Sequence, residues 1–330
     1  MSPLPLFADS FWADPLNTRP LIALVLVSLC CGAVGSLVVG SRMAFFSDAL
    51  AHCAFAGVSV GFVLFHIVVV PVLLRAGFGA QEEDFRPYFW DWVTPLMLAF
   101  GALIGCGIAY IRGRTTLASD TVIGVFFAGA IGLAAMLSRL FRRRELFSLE
   151  EFLFGNPANV TENQLYLLGG LAVLTFATMA LLYNKLLLDN FNSSLALSRR
   201  VPIYLCRYLF IVLLAIIVNL CLRFVGALLI NALLIVPAAT AINCTRNLRQ
   251  LFWMTVVLSL AAPLVGQWIN WEVQARSGVE LGIAGTVVMV CVGLFLMSLV
   301  FGPAAGRLYD FVSRRGEGVA VAAPREQDLQ

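Results

Sequence analysis

The sequence holds a single lysine, Lys185, and only two histidines, His52 and His66. Charged residues are 12% of the chain, about half the roughly 25% usual in a soluble domain. There is no GxxxxGK[ST] run, so a phosphate-cradling P-loop is absent and any ATP must be hydrolysed by another chain. HExxH does not occur, and GxSxG occurs only as "GVSVG" (57–61) inside an apolar run rather than at a strand-to-helix turn, which leaves no visible catalytic set for membrane proteases of those types. No CxxC pair is present. The eight cysteines lie mostly inside apolar runs, where they behave as small hydrophobes, and no disulfide framework is suggested. A net charge of +3, without a basic patch interleaved with aromatics, gives nucleic acid nothing to hold. The opening "MSPLPLFADSFWADPLNTRP" lacks a basic region followed by an apolar core, so no cleavable signal peptide is expected. No internal repeat is visible.

What the chain has instead is apolar length. Hydrophobic residues make up 60% of it and the mean hydropathy is +0.90, too much apolar surface for one water-soluble core. A helix needs roughly 20 apolar residues to cross the hydrocarbon layer. Nine such runs stand between the charges: 21–41, 47–73, 93–111, 121–138, 163–184, 203–222, 224–244, 251–271 and 281–303. Arg207, near the start of the sixth, is expected to snorkel. Only Arg223 separates the sixth run from the seventh, so 224–244 reads as a short or broken helix. The expectation is an all-α polytopic membrane protein of eight to nine transmembrane helices. It divides into an extracytoplasmic segment 1–20, one transmembrane domain 21–303 and a cytoplasmic tail 304–330, of which "GVAVAAPREQDLQ" reads as loose.

Orientation follows the basic residues of the loops. With the N-terminus outside and the C-terminus cytoplasmic, 13 of the 22 lie inside and 9 outside, although "RLFRRRE" (139–145) runs against the trend. "EED" (82–84) reads as a solvated loop, and "SLEEFLFGN" (148–156), mixing acids and aromatics, as an interfacial helix. Gly57 with Gly61, and Gly101 with Gly105, have the four-residue spacing that lets membrane helices approach closely.

The chemistry concentrates in "RMAFFSDALAHCAFAGVSVGF" (42–62). Asp48 and His52 are four residues apart, so on a helix both side chains face one way and can converge on one ion or proton. Ionisable groups inside membrane spans are costly and point to function. Carboxylate with neutral imidazole suits zinc, manganese or ferrous iron. Two ligands leave a site incomplete; closure needs other residues, water or a second copy of the chain. A blander reading makes Ser47 or Asp48 a helix cap and His52 a packing residue. Cys53 could add a soft ligand, but its position points about 100° away. His66 reads as an interhelical or interfacial histidine, and Asn219 and Asn231 as interhelical glue.

"GSLVVGSRMAFFSDALAHCAFAGVSVGF" (35–62) and "FVGALLINALLIVPAATA" (224–241) resemble the two signatures of the permeases of metal-ion ABC importers, the zinc/manganese/iron group called the ABC-3 family. "SDTVIGVFFAGAIGLAAMLS" (119–138) and "LEEFLFGN" (149–156) are similar to weaker blocks of the same family, in the same order. The resemblance covers about 20–303. It implies a bundle like that of the vitamin B12 permease (a type II ABC importer), in a bacterial inner membrane, working as a homodimer around a central path. The implied partners are cytoplasmic ATPase subunits, docking near 187–204, and an extracytoplasmic metal-binding protein. It also implies metal contact for Asp48 and His52, with no cofactor held permanently and Zn2+, Mn2+ or Fe2+ as the transported ion.

The function so implied is not enzymatic: an ATP-driven import permease passing metal along a dimer interface. A proton-coupled secondary transporter is the main alternative and would show inverted repeats, which are not found. An intramembrane metalloenzyme would need a third protein ligand and a nearby general base, and none stands at helical spacing.

Overall fold

A computed structural model describes residues 15–75, 86–138, 154–155, 160–191, 199, 202–278 and 282–300. Every regular element among them is helical. We number the long helices α1 (Pro15–Gly40), α2 (Ala44–Leu64), α3 (Arg86–Arg114), α4 (Ser119–Ser138), α5 (Glu162–Phe191), α6 (Ile203–Val225), α7 (Ala227–Cys244), α8 (Leu248–Ser277) and α9 (Ile283–Val300). All nine contain a stretch long and apolar enough to cross a membrane. The expected tail beyond 303, the "EED" loop, the "RLFRRRE" loop and most of "SLEEFLFGN" lie outside the described residues.

Helices α1 and α6 are the centre of the bundle, with most of their residues buried, whereas α4 and α9 turn most of theirs outward. A helix that is apolar all round is what such a central position requires. Two tethers fix the direction of travel. At the start of α1, Arg19 Nη2 donates to Glu162 Oε1 at the start of α5 over 2.7 Å. Just past the end of α1, the Nδ2 of Asn190, near the end of α5, donates to Ser41 Oγ over 2.8 Å. Helices α1 and α5 therefore run parallel, as two helices separated by three alternating crossings must.

Close approach is made through glycine where the spacing suggested it. A Cβ on Gly57 would stand 3.3 Å from the Met97 backbone, and one on Gly61 would stand 3.2 Å from Val93, so both seat α2 on α3. Gly101 lies under the Asn219 amide, where a Cβ would come within 2.3 Å of Nδ2, and Gly105 faces Ile211; these seat α3 on α6. Gly35 is pressed against the Leu234 carbonyl, which brings α1 onto α7.

Three local features shape the neighbourhood of the two signature-like runs without being regular helix. Helix α1 ends in a Schellman turn: Met43 N–H bonds to Val38 O and Arg42 N–H to Val39 O, both over 3.0 Å, with Arg42 left-handed at φ 54°. Only residues 41–43 therefore separate α1 from α2. At the far end of α2 the chain passes through a π-helical turn, Phe65–Val69, into a short helix, Val70–Arg75. Pro71 lacks an N–H and its ring crowds the carbonyl four residues back, and the wider turn, with Val70 N–H reaching Phe65 O, relieves that conflict.

The third feature corrects an expectation. The break between the sixth and seventh spans falls not at Arg223 but at Gly226, with φ 82° and ψ 160°, a region open essentially to glycine alone. Arg223 stays helical because its Nη1 donates to Thr94 Oγ1 over 3.2 Å. After Gly226, α7 runs 18 residues, about 27 Å at 1.5 Å per residue, long enough to span. Gly155 packs directly on this junction: with φ 63°, a Cβ on it would lie 2.4 Å from Gly226 N.

Arg207 also departs from its expected role. It does not merely snorkel; its Nε and Nη2 donate to the two carboxylate oxygens of Asp189 over 2.6 and 2.9 Å. That pair clamps the end of α5 to the start of α6.

Candidate metal-contacting site

Asp48 and His52 lie in the second and third turns of α2, close to the turn that joins it to α1. The helix starts without a side-chain cap: its N-cap is Met43, and Ser47 Oγ donates back to the Ala44 carbonyl over 3.1 Å. The capping alternative for Ser47 and Asp48 is thereby overturned, since the tight Schellman turn occupies the helix entry.

The two side chains do meet. His52 Nδ1 lies 3.6 Å from Asp48 Oδ1 and 2.9 Å from the Asp48 carbonyl oxygen. With Nδ1–H donating to that carbonyl, the lone pair on Nε2 is left free, the tautomer in which histidine binds a metal while its other nitrogen is held by a carbonyl. Phe127 of α4 stands edge-on to the imidazole with ring centroids 4.7 Å apart and limits its rotation.

Asp48 is held from the opposite side. Asn231 Nδ2 on α7 donates to Asp48 Oδ1 over 2.8 Å, joining the two signature runs across 183 residues of sequence. Its Oδ1 is buried and has no hydrogen-bond partner among the described residues. An unpaired buried polar atom costs about 1–3 kcal/mol, and a nearby cation would satisfy it. Reading Asn231 as interhelical glue captured the bond but not its target. The available signal was an amide inside an apolar span of the second signature.

Side-chain exposure is 39% for Asp48 and 27% for His52. Both side chains are therefore open on one face of a single chain, although they sit in a membrane-length helix. Among the described residues no group of three His, Cys, Asp or Glu side chains converges, so one chain supplies a carboxylate and an imidazole, with an amide oxygen beside them.

The other sequence candidates lie apart from this pair. Cys53 is buried with Ala56, Ala130 and Ala134 in a separate apolar cluster between α2 and α4, as its angular offset required. His66 belongs to the π-helical turn, where its Nδ1 lies 3.3 Å from the Phe62 carbonyl and its ring stacks on Phe62 at 4.3 Å. This bond is within its own helix rather than between helices. Asn219 Nδ2 likewise donates to Ala215 O of its own helix over 2.6 Å, while its side chain fills the space above Gly101.

Nine helices long and apolar enough to span a membrane, counted among the described residues, with an open carboxylate–imidazole pair, describe a polytopic membrane protein. More particularly, the chain belongs to the ABC 3 transport family, whose pattern it matches over residues 14–82 and 88–302. It is similar to the manganese import system permease protein ScaB of Streptococcus gordonii, 26% identical over 283 residues, covering 86% of this chain and 90% of that one. The high-affinity zinc uptake system membrane protein ZnuB of Haemophilus influenzae is 26% identical over 279 residues, covering 84% and 95%. Among solved structures, PsaBC from Streptococcus pneumoniae in complex with Fab has the same fold, with a TM-score of 0.70 at 24% identity over 92% of this chain and 98% of that chain.

Proposed function

We propose that this chain is the membrane-spanning subunit of an importer of divalent transition-metal ions, with ATP hydrolysed by separate cytoplasmic subunits. The carrying observation is the pair on α2: a carboxylate and an imidazole within 3.6 Å, open on one face and braced by Asn231. Membership of the ABC 3 family supports the reading, as do the manganese and zinc named for its relatives. A second copy of the chain, set against the open face, supplies the missing coordination. Two carboxylates and two imidazoles then surround one Zn2+, Mn2+ or Fe2+ ion, a donor set that suits all three.

In this mechanism an extracytoplasmic binding protein delivers the ion to a permease whose N-terminus lies outside a bacterial inner membrane. The ion pauses between the two Asp48–His52 pairs. ATP-driven movement, transmitted through 187–204, opens the path inward. Retention must be brief for transport to proceed, and a pair shared between two chains can be pulled apart by a small relative movement of those chains.

The test is metal content. The chain, purified with its ATPase partner, is equilibrated with equal zinc, manganese and ferrous iron, and bound metal is read by mass spectrometry for wild type, Asp48→Ala and His52→Ala. One metal retained by wild type and lost from both variants is expected. Equal retention by all three proteins, or by none, removes the pair from the path.

A further inference from the structure

The end of the bundle where α3 and α5 finish and α6 begins carries a cavity of about 650 Å³, beside the 187–204 segment that the transport reading gives to the ATPase contact. Arg112 and Arg114 of α3 and Arg207 of α6 reach into it, beside Tyr204 and Tyr208. Buried Phe210 and Ile211 supply an apolar wall. The three cations are not equivalent. Arg207 is held by Asp189 through two hydrogen bonds, and Arg114 lies 5.5 Å over the ring of Tyr110. Arg112 is half-buried, and no salt bridge or hydrogen bond to it falls among the described residues. Asp120 and Asp189 bear on it electrostatically, but so does Arg207, with the opposite sign. The cavity therefore keeps an excess of positive charge in a place only partly open to water.

We propose that this cavity binds the headgroup phosphate of an anionic phospholipid. Three features select a lipid over a soluble anion. The cavity opens where the apolar spans end, the depth at which headgroups lie. Tyr110 and Tyr204 at its rim are 55% and 70% exposed, as tyrosines of the membrane interface are. Its inner wall is apolar and fits the glycerol and the first methylenes of a lipid, which a free phosphate would leave bare. Basic pockets between membrane helices recognise headgroups in this way. The site is distinct from Asp48 and His52 and stands whether or not the chain carries metal.

Native mass spectrometry of the delipidated full-length chain, titrated separately with phosphatidylglycerol and phosphatidylcholine, tests the assignment. Retention of one phosphatidylglycerol in preference to phosphatidylcholine is expected, and Arg112→Gln should weaken it by about fivefold, the effect of one basic residue on an anionic lipid. Arg112→Lys should restore most of the preference, and Arg249→Gln, on an exposed arginine outside the cavity, should leave it unchanged. If Arg112→Gln does not fold, Arg114→Gln against Arg112→Lys makes the same comparison. Equal binding of the two lipids overturns the proposal, as does a preference untouched by the arginine substitutions. Displacement by inorganic phosphate at the lipid's own concentration also overturns it, because the apolar wall would then contribute nothing.

Discussion

Two carboxylates near neighbouring ends of the helices meet opposite fates. Asp189 is 3% exposed at its side chain, and both its oxygens are occupied by one guanidinium. Asp48 is 39% exposed, and one of its oxygens accepts from the Asn231 amide. The imidazole near Asp48 is bonded to its backbone carbonyl rather than tightly to its carboxylate. A fully paired buried carboxylate has nothing left to offer a passing ion and serves the fold. A partly held one keeps acceptor capacity and a defined direction, and the stability it forgoes is the cost of that opening.

The sharpest way to break this comparison is to remove the cation from the closed pair. Arg207→Ala removes the guanidinium that holds both oxygens of Asp189, and losing hydrogen bonds to a charged group costs about 2–3 kcal/mol. Thermal unfolding in detergent should register that loss, while Asp48→Ala should change stability by about 1 kcal/mol or less and abolish metal retention. Equal destabilisation by the two substitutions would mean that Asp48 is as structural as Asp189.

The next effect tests how the open pair is positioned. A methyl added by Gly155→Ala would meet Gly226 N at 2.4 Å and the Val225 carbonyl carbon equally closely, with φ already at 63°. Backbone on both sides cannot yield cheaply, so about 1–3 kcal/mol of destabilisation is expected. The start of α7 should shift and take Asn231 away from Asp48, lowering metal retention as well. Gly124→Ala on α4, where a Cβ meets nothing within 4 Å, is the matched control and should be neutral.

Asn231 itself should have a smaller and more selective effect. Removing a group that orients a metal ligand commonly costs 10–100-fold in affinity, and with Asp48 still beside His52 the lower figure, about tenfold, is expected for Asn231→Ala. Metal titration with unchanged unfolding behaviour would confirm an orienting role. Unchanged affinity would show that the backbone of α2 holds Asp48 without help.

How much of this was readable in the residues depends on whether the partner is near in sequence. The nine spans were legible because each apolar run is about as long as the bilayer is thick. Asp48 and His52 were legible because four residues is one helical turn. The Asn231–Asp48 bond joins positions 183 apart, and nothing local to "LLINALL" announces which carboxylate its amide will meet. The Arg223 and Gly226 error has the same root. A charge in an apolar run looks like a boundary, but Thr94 on another helix satisfies it, so the chain breaks at the residue whose lack of a Cβ permits the turn. Arg207 was read as free to snorkel because Asp189, 18 residues earlier, showed no sign of turning back towards it. The π-helical turn sits just before Pro71, whose missing N–H and crowded ring favour a wider turn. Pro95, Pro237 and Pro263 stand inside helices that stay α, so proline alone does not announce it.

The smallest effect separates the scaffold of the site from its chemistry. Arg42 holds a left-handed conformation at the Schellman turn, φ 54°, where a side chain is disfavoured by about 1–2 kcal/mol and glycine is not. Glycine also frees the unfolded chain, so part of that gain is returned, and Arg42→Gly should stabilise the protein by about 0.5 kcal/mol. Arg42→Val should do the reverse, because a β-branched side chain tolerates that conformation worst. Metal retention should be the same in wild type and Arg42→Gly, since the turn fixes where α2 begins while Asp48 takes its orientation from Asn231. A change in retention with Arg42→Gly would instead assign the arginine's charge a part in holding or repelling the ion, and the open carboxylate would then be tuned from its own helix end.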